Sequence, residues 1–169
     1  MKRLIVISVL VIITAIGYKY LRPTVQRKYR RLLCASNLYG LGQVILYYSE
    51  DYDNNFPTPT KWCDLLIEKE KNETELMKRL LRCPDASEGS CNYAMNKEKL
   101  DTPAPPDIVV LFEAHPGWNQ SGGSEILTTD YHQGKGCNVL FADLQVEFVK
   151  TEDLGNLKWH IANNEAEKP

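Results

Sequence analysis

The first third of the chain reads as one long helix that changes character halfway along, and the rest has to be arranged around it. Leu4 to Gly17 is an unbroken run of apolar or small residues (LIVISVLVIITAIG) behind Lys2 and Arg3, and Tyr18, Lys19, Tyr20 and Leu21 extend it with side chains suited to a membrane interface. From Cys34 the apolar residues recur at Leu38, Leu41, Ile45, Tyr48 and Tyr52, in steps of four, three, four, three and four, which hold one stripe on one helix face. The first half suits lipid and the second half suits a core. Leu38, Leu41, Ile45 and Tyr48 are therefore the expected packing stripe of a helix that leaves the membrane and becomes the spine of a small domain. It should end between Asp51 and Asn55, ahead of Phe56-Pro57-Thr58-Pro59.

Charge divides the chain at the same place. Lys2, Arg3, Lys19, Arg22, Arg27, Lys28, Arg30 and Arg31 precede Leu32 with no acid among them, so the remainder holds 12 basic and 22 acidic residues, a net −10. A basic neck of this kind suits anionic lipid headgroups, while an acidic head excludes nucleic acid as the expected partner. The division places a membrane anchor and neck at residues 1–31 and one globular domain at 32–169, sharing the helix to about residue 53. Ala15-Ile16-Gly17 also fits a small-x-small cleavage site of a signal peptide, but helical character continuing through Leu21 favours a retained anchor. Pro23, just past the apolar run, is expected to bend the helix. Gly40 and Gly42 inside it imply close approach of another backbone, since each costs about 1 kcal/mol relative to Ala.

Beyond the spine, Trp62 to Glu70 and Glu73 to Arg82 read as short helices, and Cys91 to Asn96 as a short strand. Pro103, Pro105 and Pro106 make residues 101–107 a linker. Ile108 to Glu113 is a strand of buried type, and Cys137 to Ala142 with Gln145 to Lys150 reads as a hairpin turning at Asp143-Leu144. Thr151-Glu152-Asp153 starts a terminal helix. A long helix followed by short strands gives an α+β fold in which the helix packs on a small antiparallel sheet.

Several of these pieces together resemble the pilin-like proteins of planctomycete and verrucomicrobial type, which join a prepilin-like helix to a C-terminal His…Asp-Gly domain. The pieces are Cys34 to Gly42 with Asp51 to Pro57, Arg82-Cys83-Pro84, Cys91 to Asn96, Gly117 to Gly123, and His132 through Asp143 to Val149. The resemblance implies the architecture of a type II secretion pseudopilin or type IV pilin, with an exported head. This chain departs from the family pattern in three ways. The processing site of Gly before Phe-Thr-Leu-Ile-Glu is absent, and no Glu lies in the apolar run. The segment between His132 and Asp143 holds ten residues, one more than the family spacing, and Leu144 stands where the family has Gly. A bulge or a looser turn is expected there.

His132, His115, Glu113 and Asp143 are the residues from which a metal site could be assembled, but nothing in the sequence fixes their mutual spacing. The expectation is that His132 and Asp143 are structural residues of the hairpin and that no metal or other cofactor is bound. Cys63 or Cys137 as a thiol nucleophile lacks any surrounding signature, so no enzymatic activity is expected. Five cysteines point instead to disulfides. Cys83 and Cys91, separated by seven residues rich in turn formers, are the expected pair, with Cys63 and Cys137 as a second and Cys34 a buried thiol. Trp118 with Asn119 and Gln120, in a Gly-rich loop, is the best ligand contact the sequence offers, because an aromatic beside amides suits stacking on a sugar or peptide. Asn72-Glu73-Thr74 and Asn119-Gln120-Ser121 match glycosylation sequons, a pattern short enough to arise by chance.

The expected function is structural: a single-pass, membrane-anchored, pilin-like protein of the cell envelope or a secretion apparatus, contacting the membrane and other subunits of its kind. The alternative is a tethered module that binds glycan or peptide through the Trp118 loop. On topology, the positive-inside rule would hold the head in the cytoplasm, whereas the cysteines and the resemblance place it in the periplasm or outside the cell, with Met1 inside. The second arrangement is the expected one.

Overall fold

The computed structural model describes residues 2–161, and for residues 2–13, 15 and 16 the backbone alone. A long helix, α1 (Lys2–Asp51, 50 residues), runs continuously through Pro23, and at ~1.5 Å per residue it is about 75 Å long. Its stop is built from the two residues that follow Tyr52. Asp53 and Asn54 both adopt left-handed φ, at 52° and 63°, a conformation that Asn and Asp tolerate better than other side chains, and the Asn54 N–H donates back to the Ser49 carbonyl at 2.9 Å. Among the described residues no helix is long and apolar enough to cross a membrane. The run Leu4–Gly17, on which the anchor expectation rests, lies almost wholly outside the residues described to side-chain level.

The head is α+β. After α1 come α2 (Trp62–Lys69) and α3 (Thr74–Leu80), then β1 (Tyr93–Asn96), β2 (Val109–Glu113), β3 (Ser121–Gly122), β4 (Gly136–Phe141) and β5 (Val146–Lys150), the last followed by a 3-10 turn at Thr151–Asn156. The strands form one sheet in the order β3-β1-β2-β4-β5. All neighbours are antiparallel except β1 and β3. The sheet is thus mixed, not purely antiparallel, because the two-residue β3 arrives from a loop that sequence periodicity cannot distinguish from coil.

Side chains alternate across the sheet and build two cores. On the helix side Cys34, Leu38, Leu41, Ile45 and Tyr48 of α1 pack with Trp62, Leu66 and Met77 of the short helices and Tyr93, Leu111 and Leu140 of the sheet. On the far side Ala94, Phe112, Cys137 and Val139 are closed over by Leu127, Leu154, Leu157 and Trp159, the Trp159 ring meeting Phe112 edge-on at 5.0 Å. Tyr52 leaves the stripe. It lies past the end of α1, 52% exposed, stacked on Tyr48 at 4.1 Å.

The two helix glycines admit side chains, not backbone as expected. A Cβ at Gly42 would meet Leu140 at 3.0 Å and Leu144 at 3.2 Å, and one at Gly40 would meet Leu80 at 3.1 Å. Leu144 shows why the hairpin manages without glycine. Its φ is +67°, which costs a leucine about 1 to 2 kcal/mol, yet that conformation lays its side chain against Gly42, and partial burial of a leucine returns a similar amount. The turn closes with Leu144 N–H donating to the Phe141 carbonyl at 3.0 Å, and the Asp143 Oδ1 accepts from the Gln145 N–H at 2.9 Å.

Candidate functional site

Strand alternation places Glu113, at the end of β2, on the helix side two residues after Leu111, with Tyr93 as its register partner on β1. Its exposure is 0%, and a carboxylate taken wholly out of water must be compensated by hydrogen bonds and countercharge. Asn138 on β4 supplies two donors: its backbone N–H to Glu113 Oε2 at 2.8 Å and its Nδ2 to Oε1 at 2.9 Å. His132 supplies the third partner, with Nε2 at 2.9 Å from Oε1. The ring is held at the end of a 3-10 turn, Asp130–His132, that is closed by Gln133 in a left-handed conformation.

The same ring reaches a second carboxylate. Its Nδ1 lies 3.2 Å from Oδ2 of Asp85, in the loop after α3, and Arg30 of α1 stands 3.7 Å from the other Asp85 oxygen. Guanidinium, carboxylate, imidazole and carboxylate thus alternate from the surface inward, with each ring nitrogen of His132 facing a carboxylate oxygen. Phe148 of β5 shields the line: His132 meets its ring edge-on at 5.6 Å and Arg31 lies over it at 4.2 Å. Arg30, Asp85, His132 and Phe148 also border an open cleft of about 490 Å³ whose other walls include Arg27 and Lys135.

A disulfide joins Cys34 of α1 to Cys83, with Cα atoms 4.9 Å apart and 49 residues of separation. It lies directly on the buried carboxylate, Cys83 Sγ being 3.7 Å from Glu113 Oε1. Cys34, Cys83, Glu113 and His132 each present one ligand-type atom, and these four atoms lie within 4.8 Å of one another. Both expected pairings are corrected. The 83–91 loop is closed by Asn92, which donates its N–H to the Leu81 carbonyl at 2.9 Å and accepts from the Cys83 N–H at 3.1 Å, so no cysteine bridge is needed there. Cys91 is a free buried thiol that donates to the Tyr93 carbonyl at 3.3 Å, and the thiol of Cys63 is pushed up by a hydrogen bond with Cys91 first and by burial second. Cys63 and Cys137 belong to cores on opposite faces of the sheet and do not meet. Cys137 is likewise pushed up, by burial first and then by the charge of Glu113. Thiols held in this way are protonated at neutral pH and make poor nucleophiles.

Of the four residues from which the sequence could assemble a metal site, the structure brings together Glu113 and His132. His115 is exposed and faces Asp130 at 3.6 Å, and Asp143 is spent on its own turn. Asp143 thus bonds the hairpin turn, while His132 bonds the loop after α3 and the end of β2. Sequence reasoning missed Asp85, Asn138 and the Cys34–Cys83 bond. One signal was available: Asn138 is a polar residue inside an otherwise apolar strand, at the position that alternation turns towards α1.

Trp118, Asn119 and Gln120 form a separate arrangement that grips the start of α2. The Trp118 indole N–H donates to Asp64 Oδ1 at 2.8 Å and Asn119 Nδ2 to Asp64 Oδ2 at 2.5 Å. Asn119 Oδ1 accepts from the Cys63 N–H at 2.8 Å, while the Gln120 carbonyl accepts from the Trp62 indole N–H at 3.0 Å and Gln120 Nε2 donates to the His115 carbonyl at 2.6 Å. These bonds hold the Asp64 carboxyl below the usual carboxylate range, the Trp118 indole contributing most. The polar groups of the loop are taken up by these bonds, and Trp118 is 40% exposed. Comparison of the chain with protein-family models, with curated proteins and with solved structures finds no match.

Proposed function

We propose that this chain is a membrane-anchored, pilin-like structural protein of the cell envelope or a secretion apparatus, acting through protein–protein contacts. The observation that carries the reading is the division of α1. From Cys34 to Tyr48 one face is buried in the head, whereas Tyr18, Tyr20, Leu21, Val25, Tyr29 and Leu32 all stand exposed on the half that projects from it. A projecting helix of this kind presents apolar area that a lone soluble domain gains nothing by exposing, and interleaved Arg22, Arg27, Lys28 and Arg30 suit a headgroup layer. Side-by-side packing of such helices is the natural way to cover it. The Cys34–Cys83 bond supports a head in an oxidising compartment, periplasmic or extracellular, with Met1 in the cytoplasm.

Membranes from cells producing the full chain, washed in alkaline carbonate, test the anchor, and single cysteines at Tyr18→Cys, Val25→Cys and Tyr29→Cys test the assembly by oxidative cross-linking. Retention in the pellet with cross-linked multimers is expected. Release into the wash contradicts the anchor, and retention without cross-linking from any of the three positions contradicts the helix-packed assembly.

A further inference from the structure

We propose that, once the Cys34–Cys83 bond is opened, the four side chains gathered around it form a closed structural zinc site, with Cys34 Sγ, Cys83 Sγ, Glu113 Oε1 and His132 Nε2 as ligands. Two thiolates, an imidazole and a carboxylate are a donor set that zinc takes readily and that calcium or magnesium does not. The geometry is close to what a tetrahedral ion requires. With bonds of ~2.3 Å to sulfur and ~2.0 to 2.2 Å to nitrogen and oxygen, the edges of the tetrahedron are about 3.4 to 3.8 Å. The Cys83 Sγ to Glu113 Oε1 separation is already 3.7 Å, the His132 Nε2 to Glu113 Oε1 separation is 2.9 Å, and no pair exceeds 4.8 Å. Parting the sulfurs to about 3.8 Å, opening the imidazole–carboxylate contact by about half an ångström and drawing in the widest pair by up to about 1 Å complete the figure.

The surroundings fit a metal site as well as the ligands do. A zinc-bound histidine ordinarily gives its other ring N–H to a carboxylate, which fixes the tautomer, and Asp85 Oδ2 stands 3.2 Å from Nδ1 of His132. The second Glu113 oxygen is held by the Asn138 N–H at 2.8 Å, while Oε1 keeps its bond from Asn138 Nδ2 at 2.9 Å and exchanges its His132 contact for the ion. The ligands come from α1, the loop after α3, β2 and a 3-10 turn, and all four are buried, the mark of a structural site with no open position. The cleft along Asp85 and His132 provides the way in.

The chemistry balances with a dithiol as reductant. Its two sulfurs are oxidised to a disulfide, the Cys34–Cys83 bond breaks, and two thiols form on the protein. Binding zinc then releases two protons, one from each thiol, and any proton on His132 Nε2. Each sulfur can serve the disulfide or the metal but not both, so the zinc form belongs to a reducing environment and the disulfide form to an oxidising one.

The test uses the full chain in detergent micelles, reduced with a dithiol and freed of it anaerobically, then loaded with zinc and desalted, beside an unreduced control. The expected result is one zinc per chain in the reduced protein and none in the control. Cobalt(II) in its place should give the intense visible bands of a tetrahedral thiolate site. Alkylation followed by peptide mapping should find Cys34 and Cys83 shielded by zinc, and Asp85→Asn, which touches no ion, should weaken binding by about 10- to 100-fold. Absence of zinc from the reduced wild-type chain overturns the proposal. So does zinc in the unreduced control, or shielding of Cys63, Cys91 or Cys137 in place of Cys34 and Cys83. The wild-type measurements decide the matter even if the variant does not fold.

Discussion

Nε2 of His132 lies 2.9 Å from Oε1 of Glu113, and both side chains are buried beneath the first packed turn of α1. The pair joins the sheet to the loops and, through Asp85 and Arg30, to the helix that leaves the head. Glu113→Gln puts an amide N–H₂ where only acceptors are satisfied, among His132 Nε2 and the two Asn138 donors. A loss of about 3 to 5 kcal/mol in a denaturant melt is expected. Asp143→Ala, which removes one bond of an exposed turn, should cost about 1 kcal/mol or less. Equal losses for the two variants would contradict the buried, multiply bonded role given to Glu113.

The Cys34–Cys83 bond ties the spine to the loop after α3 across 49 residues. Closing a loop of that length stabilises a domain by about 4 kcal/mol in the chain-entropy model, more than a Cys83–Cys91 bridge could. Non-reducing peptide maps should recover a Cys34 peptide linked to a Cys83 peptide, and mild reduction should lower the melting midpoint. Recovery of a Cys83–Cys91 link would contradict the pairing.

Much of this fold was legible from periodicity. The α1 stripe at Leu38, Leu41, Ile45 and Tyr48 is buried, and the alternating runs at 137–142 and 145–150 correspond to β4 and β5 within a residue or two. What stayed hidden depends on long-range geometry. Local spacing favours Cys83 with Cys91, and only the packing of α1 against the loop after α3 brings Cys34 closer. Asp85, in a loop of turn-forming residues, carries no sign in the sequence that it will face His132. Leu144 looked like a misfit for its turn until Gly42, a hundred residues earlier in the chain, proved to be the surface it lies on.

That contact separates the two helix glycines. Replacing either with Ala gains about 1 kcal/mol of helix propensity. At Gly40 the new methyl meets only the half-buried Leu80, which can shift, so Gly40→Ala should be neutral or stabilising. At Gly42 it meets Leu140, fully buried in β4, and Leu144, pinned by its turn. Overpacking of about 1 to 3 kcal/mol should make Gly42→Ala net destabilising. Thermal melts of the two variants should fall in that order, and the reverse order would contradict the packing described.

The Trp118 clamp carries a pH signature. Hydrogen bonds from Trp118 and Asn119 hold the Asp64 carboxyl below its ordinary value, so the folded pKa is depressed. Its stabilising contribution is then fully present above the unfolded value of about 3.9 and is lost as pH falls through the folded one. Asp64 is exposed, so the effect on global stability should be small. The Trp118 indole N–H resonance should stay constant down to about pH 4 and move below it, and Asp64→Asn should abolish that movement. A shift centred near neutral pH would contradict the assignment.

The central claim is a helix anchored in the membrane with its head outside the cell's reducing interior. The most direct measurement places a single reactive thiol at Glu152→Cys, on the exposed end of β5's following turn, where the native side chain is 73% exposed, while Cys63, Cys91 and Cys137 remain buried and unreactive. A membrane-impermeant maleimide is then applied to whole cells, with the outer membrane permeabilised where one exists, and to lysed cells. Labelling of the variant before lysis to the same extent as after it is the predicted result. Labelling only after lysis would place the head in the cytoplasm and contradict the account.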